Sequence, residues 1–198
     1  MKILYVVRLF SGLENSIMRG KWCPEGVPTI YKMIEALDKS PHDYNLIFTI
    51  KEKATDCDNG IDRKVNVEGL SVIPTVISET RYLHRLLGKF RPYLRDLRQT
   101  IAIWKIYKSY KPDIIYFDRG NIYIAAFFAR YVSTPVVWRV MGVPQSMHKI
   151  LGAKGFIPFV TRYAYKSPFA LVICTRDGSG GEIWMEKALN LSTERKMM

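Results

Sequence analysis

The stretch from Pro112 to Gly142 constrains the fold more than any other part of the sequence. It holds an apolar run, Ile114–Phe117, then a polar turn, an apolar helical segment and a second apolar run, Val136–Val140. Both runs are largely apolar without clean alternation, which is typical of strands covered by helices on both faces. The stretch therefore predicts a strand–helix–strand unit of a parallel α/β sheet.

The rest of the chain extends this pattern on both sides. Four further strands are predicted at Lys2–Val7, Tyr44–Ile50, Leu70–Val76 and Phe169–Cys174, with a short extended segment at Val65–Val67. Helices are predicted from about Gly26 to Asp38, with Pro28 in the first turn, and at Pro92–Tyr110, Phe156–Tyr165 and Glu182–Leu189. A further helix is predicted to start near Asn121, before the run that begins at Pro135. Strands alternating with helices predict a Rossmann-like doubly wound sheet of six to seven strands, in the order 3-2-1-4-5-6. We expect residues 1–190 to form this domain and residues 191–198 to begin a connection to an absent second domain.

Composition narrows the partners and the compartment. The 198 residues are 48% hydrophobic, which is ample for a buried core, and carry a formal net charge of +12 that favours anionic partners. The three cysteines, Cys23, Cys57 and Cys174, form neither a zinc pattern nor a disulfide framework, so a reducing cytoplasm is the simplest compartment. No apolar stretch approaches the roughly 20 residues that span a bilayer, so any membrane contact is expected to be peripheral.

Candidate ligand-binding residues follow the predicted strands. Asp118 and Arg119 end the fourth strand, and the stretch Leu9–Glu25 after the first strand looks irregular, which is typical of functional loops. In the predicted strand order these two segments flank one crevice, to which the Met141–Gly142 turn and His148 also belong. Alternatively, Asp118 and Asn121 cap the next helix, a role compatible with ligand contact.

Two glycine-containing turns could bind anions. Glu25 and Gly26 lie where the Pro28 helix begins, and free N–H groups at a helix start suit phosphate, although ordinary helix initiation explains them as well. A second turn, Gly178, Ser179, Gly180 and Gly181, offers a similar anion nest, but a plain turn explains it better. Neither matches the spaced glycines of a dinucleotide fingerprint.

The helix that begins at Pro92 is strongly basic. Between Arg81 and Lys111 there are nine Lys or Arg and one acidic residue, Asp96. The basic positions at helical spacing are Arg91, Arg95, Arg98, Lys105 and Lys108. They predict a shared outer face that is either simply solvated or binds an anionic membrane surface; with no nucleic-acid recognition motif, lipid is favoured over nucleic acid. No metal-ligand spacing and no nucleophile elbow appears, so catalytic residues stay unassigned.

Four segments together resemble the N-terminal half of GT-B glycosyltransferases, specifically the large retaining group often called family 4. They are residues 1–7, 25–37, 112–117 and 135–142. The resemblance runs to about residue 190 and implies an N-terminal Rossmann-like domain that mainly holds the acceptor. It implies that the Glu25–Gly26 turn approaches the donor phosphates and that Gly142 matches the glycine after strand five, with Met141 in place of the family's histidine.

The leading hypothesis is therefore the acceptor-binding half of a nucleotide-sugar-dependent glycosyltransferase, inactive alone. Its acceptor would be a sugar or glycolipid, and the nucleotide sugar, a co-substrate rather than a cofactor, would bind the missing domain. The alternative is a non-enzymatic Rossmann-like module that binds a phosphorylated ligand or an anionic membrane surface. A nucleic-acid-binding domain is a third, less favoured reading, which predicts steeply salt-dependent binding.

Overall fold

The structure is a computed structural model that describes residues 1–51, 60–79, 90–140 and 153–174. In these ranges the strands are β1 (Lys2–Arg8), β2 (Asp43–Thr49), β3 (Arg63–Lys64), β4 (Thr75–Ile77), β5 (Ile114–Phe117), β6 (Val136–Val140) and β7 (Leu171–Cys174). The helices are α1 (Ser11–Arg19), α2 (Pro28–Asp38), α3 (Arg91–Tyr110), α4 (Ile122–Tyr131) and α5 (Phe156–Tyr165), with a 3₁₀ turn at Arg119–Asn121. The chain divides into two compact units, Met1–Ile115 and Tyr116–Met198.

The strands form one seven-stranded sheet in the order β3-β4-β2-β1-β5-β6-β7. The pairs β1–β2, β2–β4 and β6–β7 are parallel, whereas β3 joins β4 in antiparallel orientation at the edge. Without β3 the order is the predicted 3-2-1-4-5-6, so the α/β class and the strand order are confirmed.

In the first unit the core forms around β1 and β2. The side chains of Leu4, Tyr5, Val6 and Val7 are fully buried, which is the pattern of a strand covered on both faces. Helix α2 begins at Pro28, two residues after the expected start at Gly26, because proline lacks the N–H that a first helical turn leaves unpaired. It buries the apolar stripe expected from its spacing: Ile30, Ile34 and Leu37.

In the second unit the core is aromatic. Trp138 of β6 is fully buried, with its ring stacked on Phe169 at 5.3 Å and edge-on to Tyr165 at 5.2 Å. Phe117 of β5 packs against Phe128 of α4 at 5.6 Å. Pairs of rings at these separations stabilise a core beyond the area that they bury.

Around the third predicted strand the prediction was partly wrong. The strand predicted at Leu70–Val76 is the shorter β4, and the short strand β3, Arg63–Lys64, lies just before the extended segment expected at Val65–Val67. Gly69 has φ +94°, which breaks the extended backbone. The preceding residue, Glu68, forms a bridge with Lys21 instead of joining the sheet.

Asp38 at the end of α2 ties that helix to β2 and to the turn before β4. Its Oδ1 accepts hydrogen bonds from the Tyr44 hydroxyl at 2.6 Å, the Ser71 hydroxyl at 2.6 Å and the Ser71 backbone N–H at 2.9 Å. Burial works to raise the pKa of Asp38, but the bonds from Ser71 and Tyr44 outweigh it, so the pKa is lowered. The ionised carboxylate therefore stabilises the fold.

We expect Asp38→Asn to lower the free energy of unfolding by about 1–2 kcal/mol at neutral pH, because three donors lose a charged acceptor. The folded pKa lies below the unfolded value, so this stabilisation is present above the unfolded pKa and is lost as the pH falls through the folded one. Urea unfolding of the unmodified chain and of Asp38→Asn at neutral and acidic pH measures this stabilisation. The difference in unfolding free energy between the two proteins should become smaller in acid. A difference that does not change with pH would contradict the stabilising role of the ionised Asp38 carboxylate.

Within the described ranges, no helix combines the length and apolar character needed to cross a bilayer.

Candidate functional site

The segment after β1 is not the irregular loop that we expected at Leu9–Glu25. Residues Ser11–Arg19 form helix α1, which ends at Gly20 with φ +63°. The following residues are held by a bridge: Trp22 N–H donates to the Glu68 carbonyl at 2.7 Å, and Glu68 N–H donates to the Gly20 carbonyl at 2.7 Å. The correction places a helix N-terminus directly at the carboxyl end of β1.

Gly12 and Glu25 bring the starts of α1 and α2 together. The Glu25 N–H donates to the Gly12 carbonyl at 2.8 Å. A Cβ on Gly12 would lie 1.9 Å from the Glu25 carbonyl oxygen, so only glycine fits there. Gly26 has φ +85° and sits against the Phe10 ring, and Pro28 then opens α2. We call these residues, Phe10–Gly12 and Glu25–Pro28, the paired-turn site.

In the paired-turn site, the backbone N–H groups available to bind an anion are those at the N-terminus of α1 and not the N–H of Glu25. Ser11 and Gly12 are the first two helical residues, and N–H groups at those positions have no acceptor within a helix. The Glu25 N–H is already bonded to Gly12, and the Glu25 side chain is exposed. Sequence reasoning missed Ser11 and Gly12; the signal was a glycine four residues after a buried strand.

Asp118 lies at the carboxyl end of β5, where the sequence placed it. It is buried, and its Oδ1 accepts a 2.6 Å hydrogen bond from the Asn121 amide, which is also buried. Neither side chain makes a capping hydrogen bond to the helical turn that it precedes. The two side chains therefore bond to each other, and they do not cap the next helix as the alternative interpretation predicted.

Arg139 of β6 is a neighbour of Tyr116 that sequence reasoning missed. Burial raises the pKa of the Tyr116 phenol, whereas Arg139, by its charge and by a hydrogen bond to that group, acts to lower it, and Asp118 acts to raise it. A charged residue inside the apolar run Val136–Val140 was the available signal. Tyr116, Asp118, Asn121 and Arg139 thus form a polar cluster at one end of β5 and β6.

The arginines of α3 do not share an outer, solvated face, and that expectation is wrong. Arg91 binds Glu79 through two contacts, Nε–Oε1 at 3.0 Å and Nη2–Oε2 at 2.9 Å. Arg95 Nε donates to Asp96 at 3.0 Å and its Nη1 to the Lys51 carbonyl at 2.7 Å. Arg98 Nη2 pairs with Asp62 at 2.9 Å. These charges are neutralised within the fold.

At the centre of this network is a buried ion pair. Lys51 Nζ lies 2.7 Å from Asp96 Oδ1, and the two side chains are only 5% and 9% exposed. Gln99 donates to the Ile50 carbonyl at 2.8 Å beside it. The buried face of α3 is therefore polar.

Three apolar residues of α3 lie outward instead, although Ile103 is buried. Leu94, Leu97 and Ile101 are 40%, 56% and 52% exposed, and with Ile77 of β4 they line a groove of about 600 Å³. Lys105 lines the same groove, and Lys108 is exposed with its ammonium over the Trp104 ring at 4.8 Å. Of the predicted membrane-binding set, only these two lysines are exposed rather than half-buried, and membrane binding itself stays a prediction.

Several predicted site residues lie outside the described residues: Met141, Gly142 and His148, and the turn Gly178, Ser179, Gly180 and Gly181. Arg119 is described only as part of the 3₁₀ turn. The predicted crevice between the segment after β1 and Asp118 joins residues of different compact units and stays a prediction. In the described part of the chain, no three acidic, histidine or cysteine side chains group as a metal site would require.

Comparison with known proteins gives matches in structure only. No protein-family model matches the sequence, and no curated protein matches it either. The UDP-GlcNAc 2-epimerase of Methanocaldococcus jannaschii matches 96% of the chain with a TM-score of 0.51 and 13% identity. The UDP-GlcNAc 2-epimerase of Neisseria meningitidis bound to UDP-GlcNAc matches the whole chain with a TM-score of 0.49 and 10% identity. The spinosyn rhamnosyltransferase SpnG in complex with thymidine diphosphate matches 88% of the chain with a TM-score of 0.41 and 12% identity.

The chain covers only 42% of the first of these structures and 45% of each of the other two. At 13% identity, the likeness to the first of these structures shows the fold alone, which is that of a Rossmann-like GT-B half-domain. The predicted fold class is thereby confirmed.

Proposed function

We propose that the chain is the acceptor-side domain of a nucleotide-sugar-dependent glycosyltransferase of the retaining, family 4 type. A second domain would hold the nucleotide sugar, and the chain would be inactive alone. The observation that carries the proposal is the paired-turn site, where Gly12 and Gly26 let two helix starts meet at the end of β1. The GT-B half-domain fold is consistent with this role.

The chemistry required of this domain is electrostatic and positional. When a sugar leaves its nucleotide, negative charge builds up on the diphosphate, and preorganised N–H groups at a helix start stabilise that charge. Ser11 and Gly12 of α1 supply such groups. Glu25 contributes through its peptide, which fixes the turn by bonding to Gly12, rather than through its exposed carboxylate. The proposal requires no resident cofactor or metal.

The polar cluster at the end of β5 and β6 is the best candidate for the acceptor. Asp118 is held by Asn121 at 2.6 Å, which fixes the carboxylate, and Tyr116 and its neighbour Arg139 add a hydroxyl and a positive charge to the cluster. Sugar hydroxyls bind to such sets of fixed charged and polar groups. We therefore assign acceptor contact to this cluster.

Replacing Ser11 with proline tests the anion site with little risk to the fold. Proline fits the first helical position, and Phe10 before it is already extended at φ −130° and ψ 163°. The change removes one N–H. With uridine diphosphate as the probe, we expect weak binding by the unmodified chain, about 1 mM or weaker. Amide chemical-shift changes should centre on residues 11, 12 and 26 and disappear in Ser11→Pro.

Ser11→Ala is the matched control, since it removes the hydroxyl but keeps the N–H, and its shifts should equal those of the unmodified chain. Equal loss in both variants would assign the binding to the side chain and contradict the proposal. Micromolar binding of a nucleotide sugar to this chain alone, measured by calorimetry, would also contradict it. That result would favour the alternative, a Rossmann-like module that binds phosphorylated ligands by itself.

A further inference from the structure

Helix α5 exposes large apolar side chains along most of its length. Phe156, Ile157, Phe159 and Tyr163 are 66%, 48%, 60% and 52% exposed. The positions 156, 159 and 163 share one face of a helix, and the rings of Phe159 and Tyr163 stack at 6.5 Å. The residues that α5 buries are Thr161, Ala164 and Tyr165. The helix is therefore anchored by one side and presents an aromatic face on the other.

The surroundings of this face are basic. From Lys154 to Lys166, the stretch that contains α5, the charged residues are Lys154, Arg162 and Lys166, and none is acidic. Lys154 and Lys166, both exposed, flank the two ends of α5. The Arg130 guanidinium lies 3.9 Å from the Tyr163 ring centre and donates to the Tyr163 carbonyl at 2.9 Å. An apolar face within such a positive region is complementary to a surface that is both apolar and anionic.

We infer that this face, defined by Phe156, Ile157, Phe159 and Tyr163, docks on an anionic lipid bilayer. A helix of ten residues is about 15 Å long, so it would lie in the plane of the interface with its apolar side among the acyl chains. Lysines at both ends would meet the phosphate headgroups. Attachment of this kind would hold the domain beside a membrane-borne acceptor.

Other partners fit the face less well. A second copy of the chain would bring the same positive charges together. A nucleic acid would need open ring faces on which bases could stack, but one face of Tyr163 is covered by Arg130 and Ile157 has no ring. The α3 surface, where sequence reasoning placed membrane contact, has its arginines bound to Glu79, Asp96 and Asp62. Lipid at α5 is thus the partner that the observations favour.

The test is co-sedimentation of the whole chain with phosphatidylcholine vesicles that contain about 30% phosphatidylglycerol. The unmodified chain should bind these vesicles, release them at high salt and not bind pure phosphatidylcholine. Phe156→Ser combined with Phe159→Ser should weaken binding about tenfold or more, since two anchors are lost. Both side chains are exposed, so thermal unfolding should hardly change.

A double variant of α3, Leu97→Ser with Ile101→Ser, is the matched control, because it removes two apolar side chains that are also more than half exposed from another helix. Its vesicle binding should stay within about twofold of the unmodified chain. Loss of binding in this control alone would move the membrane surface to α3 and overturn the inference. Absence of vesicle binding, or binding of single-stranded RNA that the Phe156/Phe159 variant loses, would overturn it as well.

Discussion

Asp96→Ala should destabilise the protein by about 3–5 kcal/mol, because it leaves the buried Lys51 ammonium without its carboxylate. The Lys51 side chain is only 5% exposed and lies 2.7 Å from Asp96 Oδ1. Arg95 also binds this carboxylate, at 3.0 Å, so one substitution disturbs two cations. Alanine has the higher helix propensity, which opposes the effect by a few tenths of a kcal/mol. Urea unfolding followed by circular dichroism measures the change.

Two further variants distinguish the contribution of the ion pair to stability from a general effect of substitutions in helix α3. Lys105→Ala removes an exposed charge from the same helix and should change the free energy of unfolding by less than about 0.5 kcal/mol. Lys51→Met combined with Asp96→Leu should recover much of the loss, since neither charge is then buried alone. If Asp96→Ala costs no more than Lys105→Ala, water rather than Lys51 satisfies the carboxylate and the pair does not hold α3 in place.

Helix α3 shows what hydrophobic spacing can and cannot predict. Its start near Pro92 and its end at Tyr110 were predicted to within one residue, because proline and periodicity mark both ends. Which stripe faces the sheet was predicted wrongly. Leucines and arginines both recur at helical spacing, and the choice depends on Lys51 and Glu79, which lie far away in sequence. The spacing of residues within one helix does not reveal which charged residues elsewhere in the chain will pair with it.

Helix α1 was missed for a different physical reason. Its buried positions are Gly12, Leu13, Ser16 and Ile17, and two of these four are not hydrophobic. The apolar stripe is therefore only two residues long, which is too short for periodicity to show. Ser16 is buried because its hydroxyl accepts the Cys23 N–H at 3.0 Å, a bond that local sequence does not reveal.

The positions of the candidate site residues were easier to predict than their contacts. Asp118 was placed correctly at the end of a strand, because strand ends follow from apolar runs. Its bond to Asn121, and the contact of Arg139 with the neighbouring Tyr116, depend on side-chain geometry that the local sequence does not show. The paired-turn site was half predicted: Gly26 was identified, but its counterpart Gly12 lay in the segment that we took for a loop.

Gly12→Ala should lower the free energy of unfolding by about 3 kcal/mol, the cost typical of forcing an atom into a filled space. Within a helix the same change normally stabilises by about 0.5–1 kcal/mol, so the sign alone is informative. The new Cβ would lie 1.9 Å from the Glu25 carbonyl oxygen. Ordinary contact is about 3.5 Å, so α1 and the Glu25–Gly26 turn must separate by on the order of 1.5 Å.

That separation would also break the 2.8 Å bond from the Glu25 N–H to the Gly12 carbonyl. Gly20→Ala is the matched control at the other end of α1: its φ is +63° but its nearest neighbour is 3.6 Å away, so backbone strain of about 1–2 kcal/mol is the only cost. Gly12→Ala should in addition abolish the uridine diphosphate shifts at residues 11, 12 and 26, whereas Gly20→Ala should keep them. If Gly12→Ala is more stable than the unmodified chain, the two turns do not touch. If Gly12→Ala is less stable but its uridine diphosphate shifts are unchanged, anion binding does not depend on the contact between Gly12 and Glu25.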